Sequence, residues 1–234
     1  MRAKAAEIGL LMSLMVLQFG LWWQDRGLMP QLSLLDEPPS REMAAVASLG
    51  DLQYYFRSAM LDLQEAGDTG GRMTPLKDYD YVRVGRWLRF VNSLDRRSEH
   101  PAALAAGYFG ATQNPAMLPP IVDFLADYGE QDPSRNWIWM VKSFDLAKHR
   151  MKDLSLALTV AERLSAISAT HTDIPDWPQI LPAYTLFEMG RRAESGQRLH
   201  SVLAKAKNLD NNELMGIHSV LGKIQKTQRE TGSE

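Results

Sequence analysis

Five histidines, His100, His149, His171, His200 and His218, are the side chains best suited to proton transfer or metal ligation in this chain. No two stand four residues apart and no His-Glu-x-x-His occurs, so one helix cannot present a zinc pair. His171-Thr172-Asp173 offers two ligand types in one loop, but a third would have to come from elsewhere. A capping or solvated histidine is the simpler reading there, and His149, between Lys148 and Arg150, suits a helix C-terminus. The absence of cysteine removes a thiolate nucleophile, a Cys-ligated zinc and a disulfide scaffold together. There is no Gly-x-Ser-x-Gly elbow. Gly67-Asp68-Thr69-Gly70-Gly71 lacks the Gly-Lys-Ser/Thr of a phosphate loop and follows no strand pattern. Asp78 and Asp80, around Tyr79 and next to Tyr81, imitate paired acids but fit the negative charge of a helix start. No catalytic, cofactor-binding or metal residue is therefore assigned, and a non-enzymatic protein is expected.

Recognition chemistry is better represented. Arg83, Arg86, Arg89, Arg96 and Arg97 crowd one helix and its end, leaving the apolar stripe through Trp87 and Val91 clear. Such a run is commonly a solvated face, with Asp95 and Glu99 at hand as partners. Its functional alternative is an acidic partner or lipid head groups. Trp137 and Trp139 lie about 200° apart on a helix, so one narrow stripe cannot hold both. Either each packs on a different neighbouring helix, or Trp139, with Lys142 nearby, anchors a protein partner. The candidate partner-binding residues are accordingly Arg83, Arg86, Arg89, Trp139 and Lys142.

These groups need elements to carry them. Ile8 to Trp23 holds no charge, and only Ser13 and Gln18 are polar. At 1.5 Å per residue this run covers roughly 24 Å, and with Ala5 and Ala6 it nears the ~30 Å of a hydrocarbon core. Trp22 and Trp23 close it as interfacial indoles do. Small residues at −3 and −1 are missing after the run, which favours an uncleaved transmembrane signal anchor over a cleaved signal. Arg2 and Lys4 mark the cytoplasmic side. The expected location is thus the bacterial inner membrane, single-pass, with residues 1–7 cytoplasmic, 8–23 spanning and the C-terminal domain periplasmic. A net charge of −2 argues against a nucleic-acid binder.

Residues 24–40, with Pro30, Pro38 and Pro39, read as a linker. From 41 to 224 the chain scans as eight or nine helices joined by short breakers, without the alternating Val/Ile/Thr runs of a sheet. Asp51 and Asp153 stand where N-caps belong, and a helix starts from about Asp80. Pro101, Pro119 or Pro120, and Pro178 open helices, and Gly129 and Gly190 stop them. Residues 225–234 read as a polar tail. Leu146 to Leu164 against Leu186 to Leu203 recurs at roughly 38–41 residues, near the tetratricopeptide period. The fold class expected is all-α: a transmembrane helix followed by a short tetratricopeptide-like solenoid of helix pairs.

Ala47-Ser48-Leu49-Gly50-Asp51, Asp78-Tyr79-Asp80-Tyr81 with Trp87-Leu88, and Leu94-Asp95-Arg96 form one block of a resemblance. Asn136-Trp137-Ile138-Trp139 with Ala147-Lys148-His149-Arg150 and Lys152-Asp153-Leu154 form a second. Together they resemble a group of uncharacterised proteobacterial single-pass membrane proteins with a tetratricopeptide-like exterior domain, over about residues 44–206. The group shows Leu-Asp-Pro-Arg where this chain has Leu94-Asp95-Arg96-Arg97, which alters a turn and not the periodicity. The resemblance implies an architecture and a bacterial origin but no chemistry. A membrane-anchored adaptor that binds a protein partner, without a cofactor, is the expectation. An accessory subunit of a membrane enzyme and an envelope enzyme with a site in a helical groove are its alternatives.

Overall fold

The structure, a computed structural model, describes residues 2–25, 35–69, 72–206 and 208–231. It divides into two units, 1–34 and 35–234, each considered by itself.

The described residues of the first unit form one helix, α1 (Arg2–Asp25), which extends the expected 8–23 at both ends. Leu11, Met12, Leu14 to Leu17, Phe19 and Leu21 to Trp23 are 52–69% exposed, so the apolar side chains cover every face of the helix. Among the described residues, however, no helix is long and apolar enough to cross a membrane. The expected span is not found there: side chains at 2–8 and 10 lie outside that set, and the stretch 11–23 rises only about 20 Å. The linker residues 26–34, Pro30 among them, also lie outside it.

The second unit is helical. It comprises α2 (Arg41–Ala47), α3 (Leu52–Glu65), α4 (Tyr81–Leu94), α5 (His100–Gly107), α6 (Pro119–Gln131), α7 (Pro133–Asp145), α8 (Leu154–Thr170), α9 (Leu181–Glu188), α10 (Arg192–Lys205) and α11 (Asn211–Thr231). These ten α-helices among the described residues exceed the eight or nine expected over 41–224. Among the described residues the one strand pairing is a two-residue antiparallel ladder, Asp68–Thr69 against Arg72–Met73, at the expected Gly-rich stop after α3. Local signals place most boundaries. Asp51, Asp80 and Asp153 accept from backbone N–H groups of the first turns of α3, α4 and α8, as N-caps do. Gly190 closes α9 with φ +81°, a left-handed turn that favours glycine.

Packing follows chain order. α3 through α11 each lie against the next helix, and α4 also lies against α6. Buried Gly85 makes that last approach possible, since a Cβ there would meet Pro120. Leu88 and Val91 of α4, Ile121, Phe124 and Leu125 of α6, Met140 of α7 and Leu164 of α8 are all essentially buried. Each such apolar side chain contributes about 1.5–3 kcal/mol by leaving water. A second cluster joins Ile180, in the 3-10 turn ahead of α9, to Ala183, Leu199, Val202, Ile217 and Leu221 of α9 to α11.

Two boundaries are corrected. Gly129 does not stop α6; it sits buried inside it, where a Cβ would overlap the Met140 side chain of α7. The helix instead ends at Gln131, with Asp132 alone between it and α7. The polar stretch from 225 does not leave the helix either, for α11 continues through Thr231. Helices as unequal as seven and twenty-one residues, and a π-helical turn at Leu146–Arg150 after α7, distinguish this packing from a uniform repeat.

Candidate interaction surface

The arginines of α4 start from a capped helix: Asp80 Oδ1 accepts the Arg83 N–H at 3.0 Å, whereas Asp78 lies in the 3-10 turn before it. Arg83, Arg86 and Arg89 then follow at three-residue intervals and fan around the helix. Each meets a carboxylate of the same chain. Arg83, half-buried, donates to the Leu35 carbonyl at 2.7 Å, and its Nε lies 3.4 Å from Glu37. Arg86 donates to the other Glu37 oxygen at 2.7 Å, and the Trp87 indole N–H donates to the Asp36 carbonyl at 2.6 Å. The end of the linker is therefore strapped along α4 rather than trailing free. Arg89 reaches Asp127 of α6 at 3.3 Å. Asp127 also accepts from Arg163 of α8 at 2.9 Å, and Arg163 holds Glu130 at 2.6 Å. These bonds, Glu130 first, push the Arg163 pKa further up. The partners are thus Glu37, Asp80 and Asp127, not the sequence-adjacent Asp95 and Glu99; Glu99 pairs with Arg135 instead.

The two tryptophans of α7 divide as their 200° separation requires. Trp137 meets Trp177 edge-on at 6.0 Å, ahead of α9, whereas Trp139 meets Tyr128 of α6 at 6.5 Å. Trp139 is half-buried and its indole N–H is covered without a hydrogen-bond partner. Lys142, one turn on, is exposed. The structure brings the arginines together on α4 and leaves Trp139 and Lys142 on a different helix.

Polar groups that pattern reading passed over knit neighbouring elements. Buried Ser143 of α7 donates to the Val122 carbonyl of α6 at 2.7 Å, and buried Ser195 of α10 does the same to Ala183 of α9. Tyr81 reaches the Phe109 carbonyl at 2.9 Å. Only their place on otherwise apolar helix faces hints at this in the sequence.

The histidines are spread over α5, the π turn, the α8 end, α10 and α11. Among the described residues no three His, Cys, Asp or Glu side chains gather as metal ligands. His171 Nδ1 faces the Ile167 carbonyl at 3.0 Å, which spends that nitrogen on closing α8. Beside it lies a cleft of about 230 Å³ lined by Ser168, His171, Thr172, Asp176, Gln179, Lys205 and Asn208. Its polar groups largely bond one another: Asp176 accepts from Gln179 at 2.9 Å and from the Asn208 N–H at 2.8 Å. The carboxyl pKa values that move, at Glu42, Asp153, Asp173 and Glu194, all move down, held by caps and pairs. A general acid working near neutrality needs the opposite shift.

Compared with family models, curated proteins and solved structures, the chain matches none.

Proposed function

We propose that this protein is a membrane-anchored adaptor whose helical body binds a protein partner and helps assemble or stabilise an envelope complex. The observation that carries the reading is α1, whose described side chains expose large apolar groups on every face. A helix of that kind lowers its free energy by entering a bilayer, where each Leu, Ile, Phe or Val gains about 0.3–0.6 kcal/mol. With Arg2 and Lys4 retained on the cytoplasmic side, the body lies in the periplasm of a bacterial cell. The chain-order packing of α3 to α11 supports a tetratricopeptide-like stack, which offers a preformed surface to a peptide or a folded partner. Trp139 and Lys142 are its candidate contacts, together with the α4 arginines wherever an acidic partner replaces their internal carboxylates.

The test is crosslinking in native membranes followed by mass spectrometry. Full-length protein should stay in the membrane pellet after alkaline carbonate extraction and crosslink to a defined envelope protein. Trp139→Ala with Lys142→Ala should weaken that crosslink while leaving the helical content unchanged. Extraction into the supernatant would sink the anchor, and a membrane-bound chain that crosslinks to nothing reproducible would sink the adaptor.

A further inference from the structure

α2 is a short helix with a fixed rotation. Ser40 caps it by accepting the Met43 N–H at 3.2 Å, and Arg41 donates to the Ser93 carbonyl at 3.0 Å. Ala44 is fully buried and Ser48 nearly so, which sets the inward face. Met43, Val46 and Leu49, spaced by three, are turned to solvent at 66%, 77% and 97% exposure. Leu49 also has φ +54°, a left-handed conformation that suits glycine and strains leucine. The turn that ends α2, closed by the Gly50 N–H on the Ala45 carbonyl at 2.7 Å, therefore holds a large apolar side chain at full exposure. A folded chain loses twice by this arrangement, in backbone strain and in hydrated apolar surface, unless something outside the chain covers it.

We propose that Met43, Val46 and Leu49 form a second membrane contact that dips into the head group–acyl boundary of the bilayer holding α1. The inference rests on the anchor reading above. Chain length selects the occupant. Residues 26–34, at most about 30 Å of extended chain, are all that separates Asp25 from the strap at Leu35. The strap is bonded to α4 by Arg83, Arg86 and Trp87, and α2 begins four residues after Glu37. A body joined to an anchor by so short a segment meets the membrane at high effective concentration, so insertion of a few apolar side chains adds to the existing attachment. Arg96 and Arg97, both exposed, lie three and four residues beyond the Ser93 to which Arg41 is bonded, and supply cations suited to anionic head groups.

The chain has no cysteine, so single-cysteine variants of the full-length protein can each carry one polarity-sensitive fluorophore. The set is Met43→Cys, Val46→Cys and Leu49→Cys, with Leu14→Cys in α1 and Met215→Cys in α11 as controls. Each is reconstituted in phosphatidylethanolamine–phosphatidylglycerol vesicles with and without a shallow or a deep spin-labelled lipid. Labels at 43, 46 and 49 should shift to the blue and be quenched several-fold more by the shallow quencher than the label at 215, while the label at 14 responds to the deep one. Quenching at 14 with 43, 46 and 49 behaving as 215 overturns this proposal and leaves the anchor standing. A blue shift at 43, 46 and 49 without lipid quenching overturns it in favour of a second copy covering the face. No quenching at 14 removes the anchor itself, and this contact with it.

Discussion

At Gly129 the side chain is absent because Met140 occupies its place. Alanine is favoured over glycine in a helix by about 1 kcal/mol, whereas overpacking a filled contact costs about 1–3 kcal/mol. Because the overlap falls on the Met140 Cγ, within the side chain rather than at its flexible end, Gly129→Ala should lower the denaturation midpoint. Gly222 of α11 is the control: a Cβ there meets nothing, so Gly222→Ala should raise stability by about 1 kcal/mol in the same chemical denaturation series. Asp153 makes a residue-scale pH prediction. The Leu156 N–H first, then the Ser155 hydroxyl, hold its carboxyl below the ordinary carboxylate range. Its contribution is complete above the unfolded-state pKa and is lost as pH falls through the lower folded value. Wild type should therefore lose stability over acidic pH by an increment that Asp153→Asn lacks. Asp153→Ala should cost about 1 kcal/mol at neutral pH through the lost cap.

At the scale of elements, the strap on α4 and the ion pairs across α4, α6 and α8 tie together segments far apart in the chain. The pair of Arg86 with Glu37 is exposed on both sides, so alone it adds little. Arg83 does more, since its side chain is largely covered and it also bonds the Leu35 carbonyl. Arg83→Ala should raise hydrogen exchange across 35–47 well above that of Glu37→Gln, with α8 unchanged in both variants. Equal exchange in the two would mean that the Trp87 bond to Asp36 holds the strap unaided. The buried serines act at the same scale, and the hydroxyls of Ser143 and Ser195 each satisfy a carbonyl on the preceding packed helix.

At the scale of the molecule, residues 35–234 bury their own core, from Ala44 in α2 to Ile224 in α11. Expressed without 1–34, this segment should remain helical and unfold in one cooperative thermal transition by circular dichroism. A broad, non-cooperative melt would show that the body needs α1 or a partner to fold. Chain-order packing also keeps most contacts local, so refolding after dilution from urea should be fast for a domain of this length.

Helical class, the capped starts at Asp51, Asp80 and Asp153 and the left-handed end at Gly190 were legible in the sequence, because each depends on a few adjacent residues and on a 3.6-residue period. Gly129 was not, for a glycine that stops a helix and one that admits a neighbour are the same letter. The α4 arginines could be counted in the sequence but not fully paired, since the carboxylates of Arg86 and Arg89, Glu37 and Asp127, stand 49 and 38 residues away. The exposure of Met43, Val46 and Leu49 likewise emerges only once Arg41 and Ala44 set the rotation of α2. Periodicity and capping are short-range properties that a linear string carries. Which side chain meets which across the core is decided by close packing in three dimensions.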